Sequence, residues 1–439
     1  MSQSISPQRR EEIIDSLRRG TVPRAGLDAF AVGLDGFEPT VDQELAAVRQ
    51  GRGVFKAVRG EYGGGKTFFG RWLQERAKRQ GFATAEVQVS ETETPLHRLE
   101  TVYRRLVERL STADSPSGAL RSILDAWFYT LEQDVLADGA ISETDTDAVV
   151  TRTNDLMEQR LSAVTKHAPA FAAVIRAYRK ALLAQDKPLA DGLIAWLSGQ
   201  PNIAAQVKRA AAVKGEIDHF GALSFLQGLL VVLRDSGYSG LLLVLDEVET
   251  LQRVRSDARD KGLNALRQLI DEIDAGRFPG LYLLITGTAA FFDGPQGARR
   301  LAPLAQRIHV DFTPDLRFDN PRAVQIRLPG FDLPKLCEVG RRIRDIYADS
   351  SPNGSRVRVL ADDGYVSDLA QAVTGKLGGK VGIAPRIFLK KLVADILDRI
   401  DQFPEFRPRE NYALTLAEGE MNEAERSLVS AQSVDEIEL

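Results

Sequence analysis

A glycine-rich segment between an apolar run and a helical pattern constrains this chain more than any other feature. Residues 54–58 form the apolar run, and an apolar stripe with helical spacing continues up to residue 79. This strand–loop–helix order lets successive backbone N–H groups converge on a phosphate at a helix N-terminus. We therefore predict a nucleotide-binding phosphate loop that fits G-x-x-x-x-G-K-[ST] and consists of Gly60, Glu61, Tyr62, Gly63, Gly64, Gly65, Lys66 and Thr67.

The last residues of this loop have distinct chemical roles. The Lys66 ammonium can reach the β- and γ-phosphates of a nucleotide, where it also assists phosphoryl transfer, and the Thr67 hydroxyl can complete a Mg²⁺ shell. We include Phe68, the next residue, in the predicted nucleotide-binding set. ATP and Mg²⁺ are thus the expected cofactors.

Composition is that of an ordinary globular protein. The chain has 439 residues, which predicts two or three folding units. Its formal net charge of −4 argues against a globally basic nucleic-acid binder, but it leaves a local basic face open. Cys337 is the only cysteine, so an intramolecular disulfide is excluded. The N-terminus is polar and no apolar run approaches about 18 residues, so we expect no membrane span and a cytoplasmic protein.

The order of apolar segments predicts an α/β fold. Strands are expected at residues 54–58, 83–89, 241–245 and 281–285, with a last one within 322–328. A β-α-β unit around a phosphate loop predicts a doubly wound parallel sheet, here in a P-loop ATPase core. The predicted segments are an N-terminal segment with the first half of the core (1–92), a mostly helical insertion (93–236), the second half of the core (237–330), a helical lid (331–402) and an acidic tail (403–439).

The helical insertion leaves one alternative open, which is a separate helical domain. Thr94-Pro95 is a favourable N-cap and first-turn pair, so we expect the first helix of this block to begin there. Trp127 and Trp196 fall on apolar helical stripes, which predicts core positions.

A carboxylate pair follows the apolar residues 241–245. Asp246 and Glu247 stand where a strand of a parallel sheet ends, which is the side on which ligands bind. Asp246 would hold the water shell of Mg²⁺, and Glu247 would polarise the attacking water. This Walker B pattern favours ATP hydrolysis over passive nucleotide binding. Glu249 is interpreted as a solvated or supporting carboxylate.

Polar residues later in the chain complete the expected site. Thr286 or Thr288, after the strand at 281–285, could bind the attacking water or the γ-phosphate. Among Arg299, Arg300 and Arg307, we prefer Arg307 as an arginine offered to the nucleotide of a neighbouring subunit. Arg386 stands in the first turn of a predicted lid helix, from which it could contact the γ-phosphate.

The ordered set of motifs resembles AAA+ ATPases of the origin-recognition kind, and more specifically the ATP-binding proteins of bacteriophage-exclusion (BREX) defence systems, of the BrxD type. The segments that carry the resemblance are 17–23, 60–67, 325–328 and 382–386. The resemblance implies ATP as the nucleotide, a bacterial cytoplasm and a helicase-like partner in the restriction of phage DNA. It also implies that Val22 and Pro23 line the adenine pocket. One departure from the commonest AAA+ loop is that the pair Gly64-Gly65 precedes Lys66 without a Ser or Thr.

Three functions are compatible with these motifs. The leading hypothesis is an ATP-hydrolysing AAA+ protein of an anti-phage complex that forms a homo-oligomer. The second is a DNA-binding initiator or loader that ATP licenses, and the third is a signalling NTPase switch. Residues 403–439 are too short and too acidic for a winged-helix domain after the lid, which disfavours a dedicated C-terminal DNA-binding domain. DNA contact through a ring pore stays open.

Overall fold

The computed structural model describes residues 5–139, 142, 144–376 and 385–415. The strands are β1 (Val54–Arg59), β2 (Ala83–Gln88), β3 (Leu241–Asp246), β4 (Leu281–Gly287) and β5 (Gln325–Arg327). The helices are α1 (Pro7–Arg18), α2 (Glu38–Arg49), α3 (Lys66–Arg79), α4 (Leu99–Arg109), α5 (Leu120–Ala137), α6 (Thr146–His167), α7 (Pro169–Leu183), α8 (Lys187–Leu197), α9 (Ala205–Ala210), α10 (His219–Asp235), α11 (Ser256–Asp274), α12 (Ala289–Asp293), α13 (Ala302–Ile308), α14 (Leu333–Ser350), α15 (Gly354–Leu360), α16 (Asp363–Lys376), α17 (Pro385–Lys390), α18 (Asp398–Gln402) and α19 (Pro408–Asn411).

The chain divides into two compact units. The first unit comprises Met1–Val41, Val58–Glu75 and Asp311–Leu439, and the second comprises Asp42–Ala57 and Arg76–Val310. Three elements, α2, β1 and α3, run through the division. The segment boundaries expected from sequence stay a prediction.

The sheet has the strand order β2-β3-β4-β1-β5. In the second unit, β2 pairs with β3 and β3 with β4, both in parallel, with Leu241 opposite both Ala83 and Leu281. Every residue of β3 and β4 is buried, as expected for continuous apolar runs in a parallel sheet covered on two faces. In the first unit, the Leu328 N–H donates to the Arg59 carbonyl at 2.9 Å, next to β5. These pairings confirm the predicted α/β fold with a parallel sheet.

Helices α4 to α10 fill the stretch between β2 and β3. Trp127 and Trp196 are buried at 1% and 4% exposure, which confirms their predicted core positions. The predicted helix start at Thr94-Pro95 is wrong, because α4 begins at Leu99. The Thr94 hydroxyl instead donates to the Gln88 carbonyl, so it stabilises the loop after β2 rather than a helix end.

The first unit brings α1 together with helices from the C-terminal part of the chain. Arg18 of α1 donates from Nε to Oδ2 of Asp398 at 2.6 Å, and the Tyr347 hydroxyl donates to Oδ1 of the same carboxylate at 2.9 Å. Helices α14 to α19 occupy the region predicted as lid and early tail. Residues 416–439 of the predicted acidic tail lie outside the described residues. No helix in the described ranges is long and apolar enough to cross a membrane.

Candidate functional site

The phosphate loop connects the end of β1 to the start of α3. Gly63 and Gly65 have φ values of 74° and 87°, a left-handed backbone that a side chain would strain. A Cβ at Gly65 would meet no heavy atom within 4 Å, so the turn opens onto free space. The loop therefore joins a buried strand to the N-terminus of a 14-residue helix, the local geometry expected of a phosphate cradle.

Lys66 spans the loop that precedes it. Its Nζ donates to the carbonyl oxygens of Gly60 at 3.0 Å and Glu61 at 3.2 Å, and it lies 5.1 Å from the centre of the Tyr62 ring. Only 8% of Lys66 is exposed. Hydrogen bonds from an ammonium to phosphate oxygens are about twice as strong as those between neutral groups, so an ammonium at the start of this helix suits a phosphate. The residues present thus fit a nucleotide phosphate.

The predicted adenine segment lies against α3 within the first unit. Arg71 of α3 donates from Nη1 to the Val22 carbonyl at 2.5 Å, and Pro23 is buried. Phe68 packs edge-on against Phe30 with ring centres 5.3 Å apart. The structure therefore places Val22 and Pro23 beside the helix that contains Phe68 and begins at the phosphate loop.

Arg386 lies beside the turn that leads into this segment. It is the second residue of α17, which agrees with its predicted position in the first turn of a helix. A Cβ built at Gly20 would lie 3.5 Å from Nη1 of Arg386 and 3.3 Å from Cδ of Lys390. Gly20 has a φ of 71°, so glycine suits both its backbone and this close approach. The residues 382–384 that precede α17 lie outside the described residues.

In the second unit, Thr286 connects the carboxylate of the predicted metal ligand Asp246 with the backbone of the predicted catalytic residue Glu247. Its hydroxyl donates to Oδ1 of Asp246 and accepts from the Glu247 N–H at 3.3 Å. Asp246 is 5% exposed and Thr286 is fully buried. A hydrogen bond between Thr286 and Asp246 thus joins the ends of β3 and β4.

Glu247 has an unusual backbone and a partner that the sequence interpretation missed. Its φ of 61° is left-handed, which is uncommon for a residue with a long side chain. The Gln88 side chain donates from Nε2 to Oε2 of Glu247 at 2.8 Å. The only sequence signal for Gln88 was its position at the predicted end of β2.

Two further polar residues of the predicted site, Thr288 and Glu249, are buried. Thr288 is 3% exposed and occupies the N-cap position of α12, but its side chain makes no cap hydrogen bond. Glu249 is 4% exposed in a short 3₁₀ helix, so the interpretation of Glu249 as a solvated carboxylate is wrong. Its role as a supporting carboxylate stays a prediction.

The three candidate arginines differ in their partners within the second unit. Arg300 pairs with Asp260, and this hydrogen bond lowers the pKa of the Asp260 carboxyl. Arg307 pairs with Asp271 and also donates from Nη1 to the Pro303 carbonyl at 2.7 Å. Arg299 is exposed, and no ion pair to it exists in the described part of the chain.

Comparison with known protein families gives one assignment. The family model described as the BREX system ATP-binding protein BrxC/D matches residues 5–416. A search of the curated proteins found no match to the chain. The family match covers most of the 439 residues and includes the phosphate loop, both carboxylates and Arg386. The chain therefore belongs to the BrxC/BrxD family of ATP-binding proteins of BREX systems.

Proposed function

We propose that this BREX-system protein hydrolyses ATP with Mg²⁺ and acts with a helicase-like partner of the same defence system on foreign DNA. The observation that carries the proposal is the hydrogen-bonded arrangement of Gln88, Asp246, Glu247 and Thr286. A protein that only bound ATP would have no need of a second carboxylate with a fixed orientation after the first. Membership of a family of ATP-binding proteins supports ATP as the nucleotide.

The proposed roles follow from the chemistry of each side chain. The Lys66 ammonium would bind phosphate oxygens, and Thr67 and Asp246 would hold Mg²⁺. Bound Mg²⁺ would neutralise charge on the β- and γ-phosphate oxygens. Oε1 of Glu247 makes no hydrogen bond within the described chain, so it can accept one from the attacking water while Gln88 holds Oε2.

The remaining proposed residues concern the base and the γ-phosphate. Val22 and Pro23 would contact adenine, and Arg386 would contact the γ-phosphate. Arg307 would stabilise transition-state charge on the nucleotide of a neighbouring subunit, which requires a homo-oligomer. Other proteins of the BREX system are the proposed partners. DNA would be reached through them or through the assembled ring.

Two substitutions in the full-length chain test this proposal. We expect Lys66→Ala to abolish ATP binding in calorimetry, because it removes the phosphate-binding charge. Glu247→Gln should bind ATP normally and hydrolyse it at least about a hundredfold more slowly, since it removes the carboxylate that orients water. Wild-type turnover by Glu247→Gln would contradict its catalytic role.

The partner is tested separately with the wild-type chain. Stimulation of phosphate release by duplex or single-stranded DNA alone would favour the initiator or loader alternative. Stimulation that requires a second BREX protein, and that DNA then increases further, would support the proposed joint action. Light scattering with and without a non-hydrolysable ATP analogue gives the oligomeric state under the same conditions.

A further inference from the structure

Two charged side chains of α3 hold the segment that contains Val22 and Pro23. Arg71 donates from Nη1 to the Val22 carbonyl at 2.5 Å. One turn further along the helix, Glu75 accepts from the Gly26 N–H at 3.0 Å and from the Leu27 N–H at 2.9 Å, one bond to each carboxylate oxygen. Residues four apart lie on one face of a helix, so both side chains reach the same backbone segment.

The segment that they hold has no regular structure of its own around Val22 and Pro23. A short 3₁₀ helix begins only at Leu27, after Gly26 in a left-handed conformation with a φ of 76°. Glu75 therefore takes the first N–H groups of this 3₁₀ helix, which have no partner inside it. Leu27 and Phe30 are buried, and Phe30 contacts Phe68 on the same helix. Residues 68, 71 and 75 of α3 thus contact the segment at three separate points.

We propose that Arg71 and Glu75 are positioning residues for base recognition, which set Val22 and Pro23 against a purine base from the helix that begins at the phosphate loop. This inference rests on the proposed function, in which Val22 and Pro23 contact adenine. Because α3 starts at Lys66, a nucleotide that binds the loop meets a base-contacting segment whose position the same helix determines.

This arrangement makes a specific prediction about which part of the affinity changes. Contacts to the phosphates are the same for ATP, GTP and inorganic tripolyphosphate, whereas contacts to the base are not. Loosening the segment should therefore lower the affinity for ATP and leave the affinity for tripolyphosphate almost unchanged. A general loss of folding would instead lower the affinity for both, so their ratio within one variant separates positioning from stability.

The experiment measures the affinity of the full-length chain for ATP, GTP and tripolyphosphate, each with Mg²⁺, by calorimetry. We expect Arg71→Ala to lower the affinity for ATP about tenfold, which is the size of a lost charge-assisted hydrogen bond. Its affinity for tripolyphosphate should stay within about twofold of the wild-type value. Glu75→Gln should also lower the affinity for ATP, because a neutral amide accepts the hydrogen bonds of the Gly26 and Leu27 N–H groups less strongly. Arg71→Lys should recover part of the loss, since it can still donate to the Val22 carbonyl.

Arg24→Ala is the matched control. Arg24 is exposed in the same segment, and it makes no hydrogen bond or ion pair within the described residues, so its removal should change neither affinity. Equal weakening of ATP and tripolyphosphate by Arg71→Ala, or no change in either, would overturn the inference. If wild type binds tripolyphosphate as tightly as ATP, the base-contacting segment is wrong while the phosphate loop stands. If wild type binds neither, the proposed function itself fails.

Discussion

Gln88 and Glu247 are joined by a 2.8 Å hydrogen bond from the side-chain amide of one to the carboxylate of the other. The parallel register of β2 and β3 sets Gln88 opposite Asp246, the residue before Glu247. The carboxylate that would orient water is thus restrained by the neighbouring strand, and its left-handed backbone is fixed by the Thr286 hydroxyl. The end of β2 therefore orients the carboxylate that follows β3.

The first prediction concerns this contact. Gln88→Leu keeps a side chain of similar size and removes the amide, so Glu247 loses its orientation. We expect turnover to fall between about tenfold and a hundredfold with ATP affinity unchanged, because a hydrogen bond to a carboxylate contributes about 1.5–3 kcal/mol. Steady-state phosphate release and calorimetry measure the two quantities. Gln88→Glu, which repels Glu247, should be slower still, and faster turnover in either variant would show that Gln88 restrains Glu247 from acting.

A second prediction concerns Thr286. Thr286→Val removes the hydroxyl that binds both the buried Asp246 carboxylate and the part-buried Glu247 N–H. We expect turnover to fall at least about tenfold, with more Mg²⁺ needed for half-maximal activity, because Asp246 is no longer oriented. Thr286→Ser keeps the hydroxyl and should retain most of the activity. A magnesium titration identical to that of wild type would contradict this role.

A third prediction concerns a buried charge in the second unit. Lys56 of β1 is 2% exposed, and its Nζ lies 2.5 Å from Oε1 of Glu44, whose other oxygen accepts from the Tyr282 hydroxyl at 2.5 Å. Burial, together with the Glu44 charge, raises the pKa of Tyr282 well above its usual range, so the phenol stays protonated. Glu44→Ala would leave the Lys56 charge buried without this carboxylate.

We expect Glu44→Ala to lower the free energy of unfolding by about 3 kcal/mol, the usual effect of removing one partner of a buried pair. Lys56→Met should lower the free energy of unfolding by less, because Glu44 keeps its contact with Tyr282 and is 18% exposed. Urea unfolding followed by tryptophan fluorescence ranks the variants. The double variant should be more stable than Glu44→Ala alone, and additive losses would show that the two charges do not interact.

The strands could be predicted from sequence because their signals are local. Residues 241–245 and 281–285 are continuous apolar runs, and only a buried parallel strand suits such runs next to Asp-Glu or Thr-Gly. The start of α4 could not be predicted in the same way. Thr94 is a favourable helix cap, but its hydroxyl donates to the Gln88 carbonyl in the loop after β2, and the helix begins only at Leu99.

The contacts within the candidate site depend on strand register, which the sequence does not encode locally. Gln88 meets Glu247 only because β2 lies next to β3, and Thr286 meets Asp246 only because β3 lies next to β4. Sequence offered Thr286 and Thr288 as equal candidates, and the hydroxyl that hydrogen-bonds the Asp246 carboxylate and the Glu247 N–H is that of Thr286. The burial of Glu249 could not be predicted either, since its charge alone suggested a solvated residue.

The last prediction concerns Arg307. Its ion pair with Asp271 within the same chain must be exchanged before the guanidinium can reach a neighbouring nucleotide. We expect Arg307→Ala to reduce ATP hydrolysis by about a thousandfold without weakening ATP binding, the effect of removing an arginine that acts only in the transition state. Arg299→Ala is the comparison, because Arg299 is exposed nearby in the chain, and it should retain most of the activity.

Mixing variants tests whether Arg307 acts between subunits. Arg307→Ala protein has an intact phosphate loop, whereas Lys66→Ala protein has an intact Arg307, so mixed oligomers should regain activity that neither protein has alone. Arg307→Ala mixed with a Lys66→Ala/Arg307→Ala double variant should regain none, since no subunit then supplies the arginine. Absence of regained activity in the first mixture, under conditions where light scattering shows mixed oligomers, would exclude Arg307 as the arginine that acts in trans.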